Sequence, residues 1–418
     1  MTAPKSSSRT LEIPRRAATF AAAAFALMAC FFGSAIAIPM MAVWKPALAM
    51  TTGDVAMTVV SYFGGCILTL LFFARLSNFF GRKPVVVAGL ILGAAACWIF
   101  ASAESTAALD AGRFLQGLSC GFASSAAMSW VVDSAPPNRA WLGTALTAAG
   151  PNIGLSIGTF LSGLILDRGL LSPEALFDAT IVLFAAATLL AVYAAETMRF
   201  GTDPIGQVLI PKIAVPPRLR LCFFLGAVVY IGTWGVGSFF QGFSAQFAEA
   251  IYGRASAFLA SCTYLVLIGP NAASGLLGGR FDPIRGIPIL LTLFLAAGLA
   301  LFACVHWVSV PLFVISVVLC GTGIGASCSL SLKLLLSDST LRERAGLISA
   351  LYLSAYVGSG LPNFVIGQWA SDATMDEISL GFAAWIALTW AAGFALLRAI
   401  RATRAGGAAP DARPASNR

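Results

Sequence analysis

Histidine is all but missing from this chain: His306 is the one imidazole in 418 residues. Charged side chains are scarce as well, at 11%, where a soluble domain carries roughly 25%. An enzyme needs a nucleophile with its base, or a set of metal ligands, and a single histidine supplies little of either. No Gly-Lys-Ser or Gly-Lys-Thr phosphate loop occurs, which argues against ATP as the energy source. The nine cysteines are Cys30, Cys66, Cys97, Cys120, Cys222, Cys262, Cys304, Cys320 and Cys328. None has Cys-x-x-Cys spacing or a histidine beside it, and each lies in or at the edge of an apolar run. They read as small packing residues, so neither structural disulfides nor a zinc site is expected. No metal and no cofactor is expected.

Apolar residues make up 58% of the chain, and they come in runs long enough to cross a bilayer. Twelve spans are drawn: Ala17–Val43, Val55–Phe73, Pro84–Ala103, Leu109–Val132, Trp141–Leu166, Leu176–Ala195, Leu219–Phe243, Ala255–Leu277, Ile287–Trp307, Pro311–Leu334, Ala345–Ala370 and Leu380–Arg398. The run Ala18–Phe32 follows basic residues as in a signal peptide, but it continues too far and reads as the first span. The fold class is an all-α membrane protein. Lys and Arg in short loops are held on the cytoplasmic side. With both termini inside, 22 of the 26 basic residues fall inside, leaving Lys45, Arg113, Arg168 and Arg254. The overall charge of +8 therefore reports orientation in a bilayer and gives no reason to invoke nucleic acid. A multi-pass protein of the cell's inner (plasma) membrane is expected, as a monomer.

An internal repeat divides the chain. Asp133-Ser-Ala-Pro-Pro-Asn-Arg-Ala-Trp-Leu-Gly-Thr-Ala-Leu146 aligns without gaps on Asp338-Ser-Thr-Leu-Arg-Glu-Arg-Ala-Gly-Leu-Ile-Ser-Ala-Leu351, with 7 of 14 positions identical at an offset of 205. The expected organisation is a cytoplasmic tail over 1–16, a six-helix bundle over 17–198, a polar cytoplasmic linker over 199–218, a second bundle over 219–400 and a disordered cytoplasmic tail over 401–418. Two six-span halves in the same orientation are the plan of a rocking transporter.

Arg113-Phe-Leu-Gln116-Gly117 places a permanent cation inside the fourth span. A charge there costs at least ~2.5 kcal/mol on insertion scales and marks a functional site by default. Asp110 lies three residues earlier on the same helix face, so the two can share a hydrogen bond and titrate together. Span 1 has no acidic residue, which leaves Asp110 as the best proton carrier and His306 a poor second. In span 5, Pro151 removes a backbone hydrogen bond, while Gly150, Gly154 and Gly158 offer a small-residue face. The run is expected to bend and to pack tightly. Gly321-Thr-Gly323-Ile-Gly325 sits in an apolar span with no preceding strand, and is read as helix packing rather than a nucleotide loop.

The chain resembles the major facilitator superfamily over essentially its whole length, and its motifs are most similar to those of the drug and metabolite proton antiporters. The loop after span 2 in that family has the pattern Gly-x-Leu-x-Asp-Arg-x-Gly-Arg-Lys; here it reads Ala74-Arg75-Leu76-Ser77-Asn78-Phe79-Phe80-Gly81-Arg82-Lys83. The resemblance implies a cytoplasmic gate that draws on Asn78, Gly81, Arg82, Lys83, Arg139, Asp282, Asp338 and Arg344. Asn78 replaces the family's carboxylate, so a weakened clamp is expected in the first half, partly balanced by Asp282. By the same resemblance Arg113 takes part in proton coupling with Asp110 and Gln116, and the Gly-Pro run of span 5 points to an antiporter.

In the family, spans 1, 4, 7 and 10 line a cavity with 2, 5, 8 and 11 beside them. The resemblance thus implies a cavity lined by Phe31, Ser34, Tyr62, Ser119, Asn152, Tyr230, Trp234, Tyr264, Thr322, Tyr352 and Tyr356. That lining is aromatic and neutral-polar with one fixed cation, and suits a neutral or anionic organic solute. The expected function is proton-coupled efflux of a small organic solute by alternating access. Import of an aromatic nutrient such as riboflavin or another vitamin is the second reading.

Overall fold

The computed structural model describes residues 15–198, 215–370 and 372–406. The tail over 1–14, most of the linker, Ser371 and the end of the chain after residue 406 lie outside them. All regular structure among the described residues is helical. The chain divides into two compact units, one made of Met1–Pro211 with Ser256–Cys262, the other of Lys212–Ala255 with Thr263–Arg418.

Unit 1 contains α1 (Arg16–Ala35), α2 (Ala37–Ala47), α3 (Thr52–Leu68), α4 (Leu76–Phe79), α5 (Arg82–Ala101), α6 (Thr106–Phe122), α7 (Met128–Ser134), α8 (Trp141–Asp167) and α9 (Pro173–Tyr193). Wide π turns at Thr69–Phe73 and Ala123–Ala127 prolong α3 and join α6 to α7. Unit 2 contains α10 (Arg220–Tyr252), most of α11 (Ala257–Gly278), α12 (Pro283–His306), α13 (Val310–Ser337), α14 (Leu341–Trp369) and α15 (Met375–Gly406). The last helix runs past residue 400, so the segment 401–406 expected in a disordered tail is helical.

Twelve helical columns result, and ten of them are long and apolar enough to cross a membrane. The other two, Thr106–Ser134 and Leu341–Trp369, are long but less apolar. They carry the Arg113 motif and the Tyr352, Tyr356 and Asn363 series, so the polar groups that lower their hydropathy are those of interest. Helix starts are fixed by local capping. Thr51 with Asp54 and Thr340 with Glu343 form reciprocal capping boxes, and Ser105, Ser172 and Asp282 cap α6, α9 and α12.

The two units repeat one packing scheme. In unit 1, α1 packs on α8 and α9, and α5 packs on α6 and α9. In unit 2, α10 packs on α14 and α15, and α12 on α13 and α15. Glycines make the repeat visible at atomic scale. A Cβ on Gly117 of α6 would collide with the Tyr62 carbonyl of α3, and one on Gly321 of α13 would collide with the Leu267 carbonyl of α11. Gly154 of α8 and Gly358 of α14 likewise lie against the backbones of Met28 and Ile231. Gly117 and Gly321, like Gly154 and Gly358, are 204 residues apart. Gly325 of the Gly321 run presses on Asn271 one turn further on, so that run is helix packing, as its sequence setting indicates.

Candidate functional site

Charge is buried in unit 1. The Ser105 hydroxyl accepts the Ala108 N–H and starts α6, which sets Asp110, Arg113 and Gln116 one turn apart on one side. Gly117, and Gly65 opposite it, let α6 and α3 approach to backbone contact. That closeness brings the Tyr62 ring beneath the Arg113 guanidinium, whose carbon lies 4.8 Å from the ring centroid. Arg113 is 1% exposed. Its Nη1 donates to Gln116 Oε1 at 2.8 Å and to the Ser34 carbonyl at 3.4 Å. Gln116 Nε2 in turn donates to the Gly33 carbonyl of α1 at 2.9 Å. Hydrogen bonds to a charged group contribute ~1.5–3 kcal/mol each, and a desolvated cation on an aromatic face about 2 kcal/mol, enough to offset the cost of placing the cation there.

The Asp110 carboxylate takes a different partner from the one expected. Its Oδ1 accepts the Ser61 hydroxyl of α3 at 3.3 Å, while Arg113 is turned toward Gln116 and the carbonyls of α1. The two charges therefore sit on one helix face with separate hydrogen-bond partners. Around them, Phe31 and Ser34 are buried on α1, with the Ser34 hydroxyl donating to the Phe31 carbonyl at 3.0 Å. Ser119 is buried on α6, and its hydroxyl has no partner among the described residues. Asn152 is half-buried on α8. Gly150, Gly154 and Gly158 all face α1, with a Cβ on Gly154 or Gly158 falling 2.5 Å from the Met28 or Phe32 carbonyl. Pro151 lies within an unbroken α8.

Unit 2 gathers aromatic rings. Tyr230 and Trp234 of α10 meet Tyr352 and Tyr356 of α14, with Trp234 in contact with all three tyrosines. Four of the residues expected to line a cavity are thus neighbours. Tyr264 on α11 lies elsewhere, its hydroxyl accepting from Gln241 Nε2 at 3.4 Å. Thr322 on α13 donates to the Val318 carbonyl of its own helix at 2.9 Å. Among the described residues no three His, Cys, Asp or Glu side chains converge as metal ligands.

The loop motif lies at the start of α5, and its acids come from elsewhere. Gly81 adopts φ 95°, a left-handed conformation suited to glycine, and has no side chain with which to cap α5. Glu196, just beyond α9, supplies the cap: its carboxylate accepts the Arg82 and Lys83 N–H groups, each at 2.9 Å. The Arg82 side chain reaches Asp133 Oδ2 at 3.1 Å, Ser77 at 2.8 Å and Asn78 Oδ1 at 2.7 Å. Lys83 Nζ donates to the Ala194 carbonyl at 3.2 Å. Asn78 keeps a contact with Arg82 without a charge, and Asp133 and Glu196 provide the carboxylates that Asn78 does not. Asp133 was visible in the repeat, but nothing local marked Glu196 as a cap for a helix so far away.

In unit 2, Asp282 caps its own helix α12 by accepting the Arg285 N–H at 2.9 Å. Asp338, the repeat counterpart of Asp133, pairs with Arg404 at 2.9 Å. Arg401, at the position equivalent to Glu196 under the same offset of 205, donates to the Ile284 carbonyl at 2.6 Å. The tie to α12 therefore has its charge reversed relative to unit 1. Arg139 is exposed in a short 3-10 turn, and the Arg344 side chain lies outside the described residues.

Helical columns of membrane-spanning length, one with a fully buried arginine and others with clustered aromatics, define a multi-pass membrane protein that handles solutes rather than an enzyme. The sequence profile described as the Major Facilitator Superfamily matches residues 23–363. The chain belongs to that family of transporters. Solved structures similar to it include a bacterial homologue of the human lysosomal transporter Spinster, inward-facing and unoccupied, at TM-score 0.70 and 14% identity, covering 92% of this chain and 97% of that one. The nucleoside transporter NupG matches at TM-score 0.66 and 13% identity, over 90% of this chain and 98% of that one. The human organic anion transporter MFSD10 (TETRAN) matches at TM-score 0.57 and 14% identity, over 91% and 100%. No curated protein sequence matches the chain.

Proposed function

We propose that this transporter exports a small neutral or anionic organic solute in exchange for protons, by alternating access in the inner (plasma) membrane. The observation that carries the reading is the buried Arg113, held by Gln116, Tyr62 and the α1 carbonyls, with Asp110 one turn away on Ser61. A fixed cation attracts an anion or a carbonyl-rich neutral solute, and the membrane-embedded carboxylate is the group able to carry a proton. The carboxylate and the guanidinium have different partners, so a solute on Arg113 and a proton on Asp110 compete through the helix they share. Gln116 and the glycine face of α8 against α1 give that helix a defined seat. The printed name of MFSD10 describes a carrier of organic anions, which is in keeping with a cationic site here.

The test is efflux from proteoliposomes under an imposed pH gradient. Proton-driven efflux in the wild type and its loss in Asp110→Asn, with counterflow exchange retained, is the expected result. Efflux by Asp110→Asn that stays fully proton-dependent overturns the coupling role. Import of an aromatic nutrient such as riboflavin is the second reading, favoured by the four rings of unit 2 and by the lack of an acid in α1. Solute accumulation inside vesicles against its gradient, with no efflux, would select it.

A further inference from the structure

We infer that Tyr230, Trp234, Tyr352 and Tyr356 form a stacking site for an uncharged or anionic aromatic ring system bearing carbonyl or carboxylate oxygens. The inference rests on the transporter reading and gives it a substrate class.

The arrangement of the rings is the first support. Tyr230 and Trp234 stand one turn apart on α10, as Tyr352 and Tyr356 do on α14, so two facing helix surfaces present paired rings. Trp234 is the hub. Its plane is 22° from that of Tyr230 with centroids 6.2 Å apart, and it meets Tyr352 and Tyr356 edge-on at 5.8 Å and 5.4 Å. A planar guest can extend such a set by offset stacking or by edge contact, the geometries aromatic pairs prefer.

The second support is the polar rim. Tyr352 is 38% exposed, and it lies well inside the helix Leu341–Trp369. A phenol hydroxyl facing hydrocarbon at that depth would have no partner, and a hydroxyl without a hydrogen bond in an apolar medium is costly. The exposed side of Tyr352 therefore faces water or a solute. Its O–H donates outward, and the guest it suits has an acceptor oxygen at the edge of its ring.

Charge is the third. Glu249 and Glu343 are the acids of α10 and α14, and both stand at helix ends. Glu343 is nine residues from Tyr352 and Glu249 fifteen from Trp234, about 13 Å and 22 Å along a helix. A cation stacked on Trp234 would find no counter-charge on either helix, and an aromatic anion or neutral ring needs none.

The experiment measures binding to the purified full-length protein in lipid nanodiscs by calorimetry. Three probes share one shape: 2-naphthoate, its saturated analogue decahydro-2-naphthoate, and 2-naphthyltrimethylammonium. In the wild type 2-naphthoate should bind about tenfold tighter than the saturated acid, and Trp234→Ala should bring that ratio close to one while Trp234→Phe keeps most of it. Equal affinity for the two acids, retention of the ratio in Trp234→Ala, tightest binding of the ammonium, or no 2-naphthoate binding up to millimolar concentration each overturns the inference. If Trp234→Ala does not fold, Tyr352→Leu at the exposed edge carries the same comparison. Failure of the transporter reading looks different, because proteoliposomes would then move no solute under any gradient whatever the naphthoate result.

Discussion

Glu196 caps the helix that Arg82 opens, although 114 residues separate them: its carboxylate accepts the Arg82 N–H at 2.9 Å and the Lys83 N–H at 2.9 Å. The same Oε1 also accepts the N–H groups of Thr197 and Met198, at 2.8 Å and 2.9 Å. One side chain thus joins the end of α9 to the start of α5, where a negative charge also meets the positive end of the helix dipole. Glu196→Ala should lower stability by roughly 1–2 kcal/mol through loss of cap and dipole, with Glu196→Gln recovering part of it. Thermal unfolding in detergent measures this, and an unchanged midpoint would mean that water serves these N–H groups equally well.

Gly64 and Gly65 are adjacent on α3 and should respond in opposite directions to alanine. Nothing lies within 4 Å of a Cβ on Gly64, whereas one on Gly65 would collide with the Phe114 carbonyl. Gly64→Ala should leave stability unchanged or raise it by up to about 1 kcal/mol through helix propensity. Gly65→Ala should cost about 1–3 kcal/mol by overpacking, and it would push α6 and its Arg113 away from Tyr62. Equal midpoints for the two variants would show that α3 and α6 have slack between them.

The twelve helices, the repeat and the buried arginine were legible in the sequence because each depends on local hydropathy or on spacing within one helix. The Tyr230, Trp234, Tyr352 and Tyr356 set was legible as a list of mid-span aromatics but not as a contact group, since helix periodicity does not say which helices face each other. Glu196 escaped notice for a stronger reason. It follows an apolar helix and has no motif around it, and its role exists only once the chain folds back onto Gly81. The partner of Asp110 was misjudged because spacing on one helix favours Arg113, whereas the close approach of α3 brings Ser61 within reach.

Stability should weaken on the acid side through Glu343, just ahead of the eleventh expected span. Its carboxylate accepts the Thr340 N–H at 2.9 Å and is gripped by Arg218 at 3.0 Å and 2.7 Å. The capping hydrogen bond from the Thr340 backbone, with the Arg218 charge a lesser cause, holds its pKa below the usual glutamate value. A lowered folded-state pKa means the contribution is complete above the unfolded value, about 4.3, and fades as pH falls through the folded one. Glu343→Gln should therefore flatten the decline of the thermal midpoint below about pH 4.3. A variant whose midpoint falls with acid as steeply as the wild type's would exclude Glu343 as a contributor.

Arg113 and Tyr62 offer a sharper test of the buried site than either residue alone. The guanidinium lies flat enough over the ring to bring its carbon to 4.8 Å of the centroid while Nη1 reaches Gln116 and Ser34. Lysine keeps the charge but is a point donor on a flexible stem, without a planar fork to satisfy Gln116 and Ser34 while lying on Tyr62. Arg113→Lys should therefore fold and reach the membrane but lose transport by about tenfold or more, the scale of one strong charged contact. Tyr62→Leu removes the ring and keeps the volume approximately. If the ring and the cation act together, their effects on thermal stability will be non-additive, with a coupling of about 0.5–2 kcal/mol in a double-mutant cycle. A coupling near zero would mean that Tyr62 only fills space beside α6, and that Gln116 and the α1 carbonyls hold the cation by themselves.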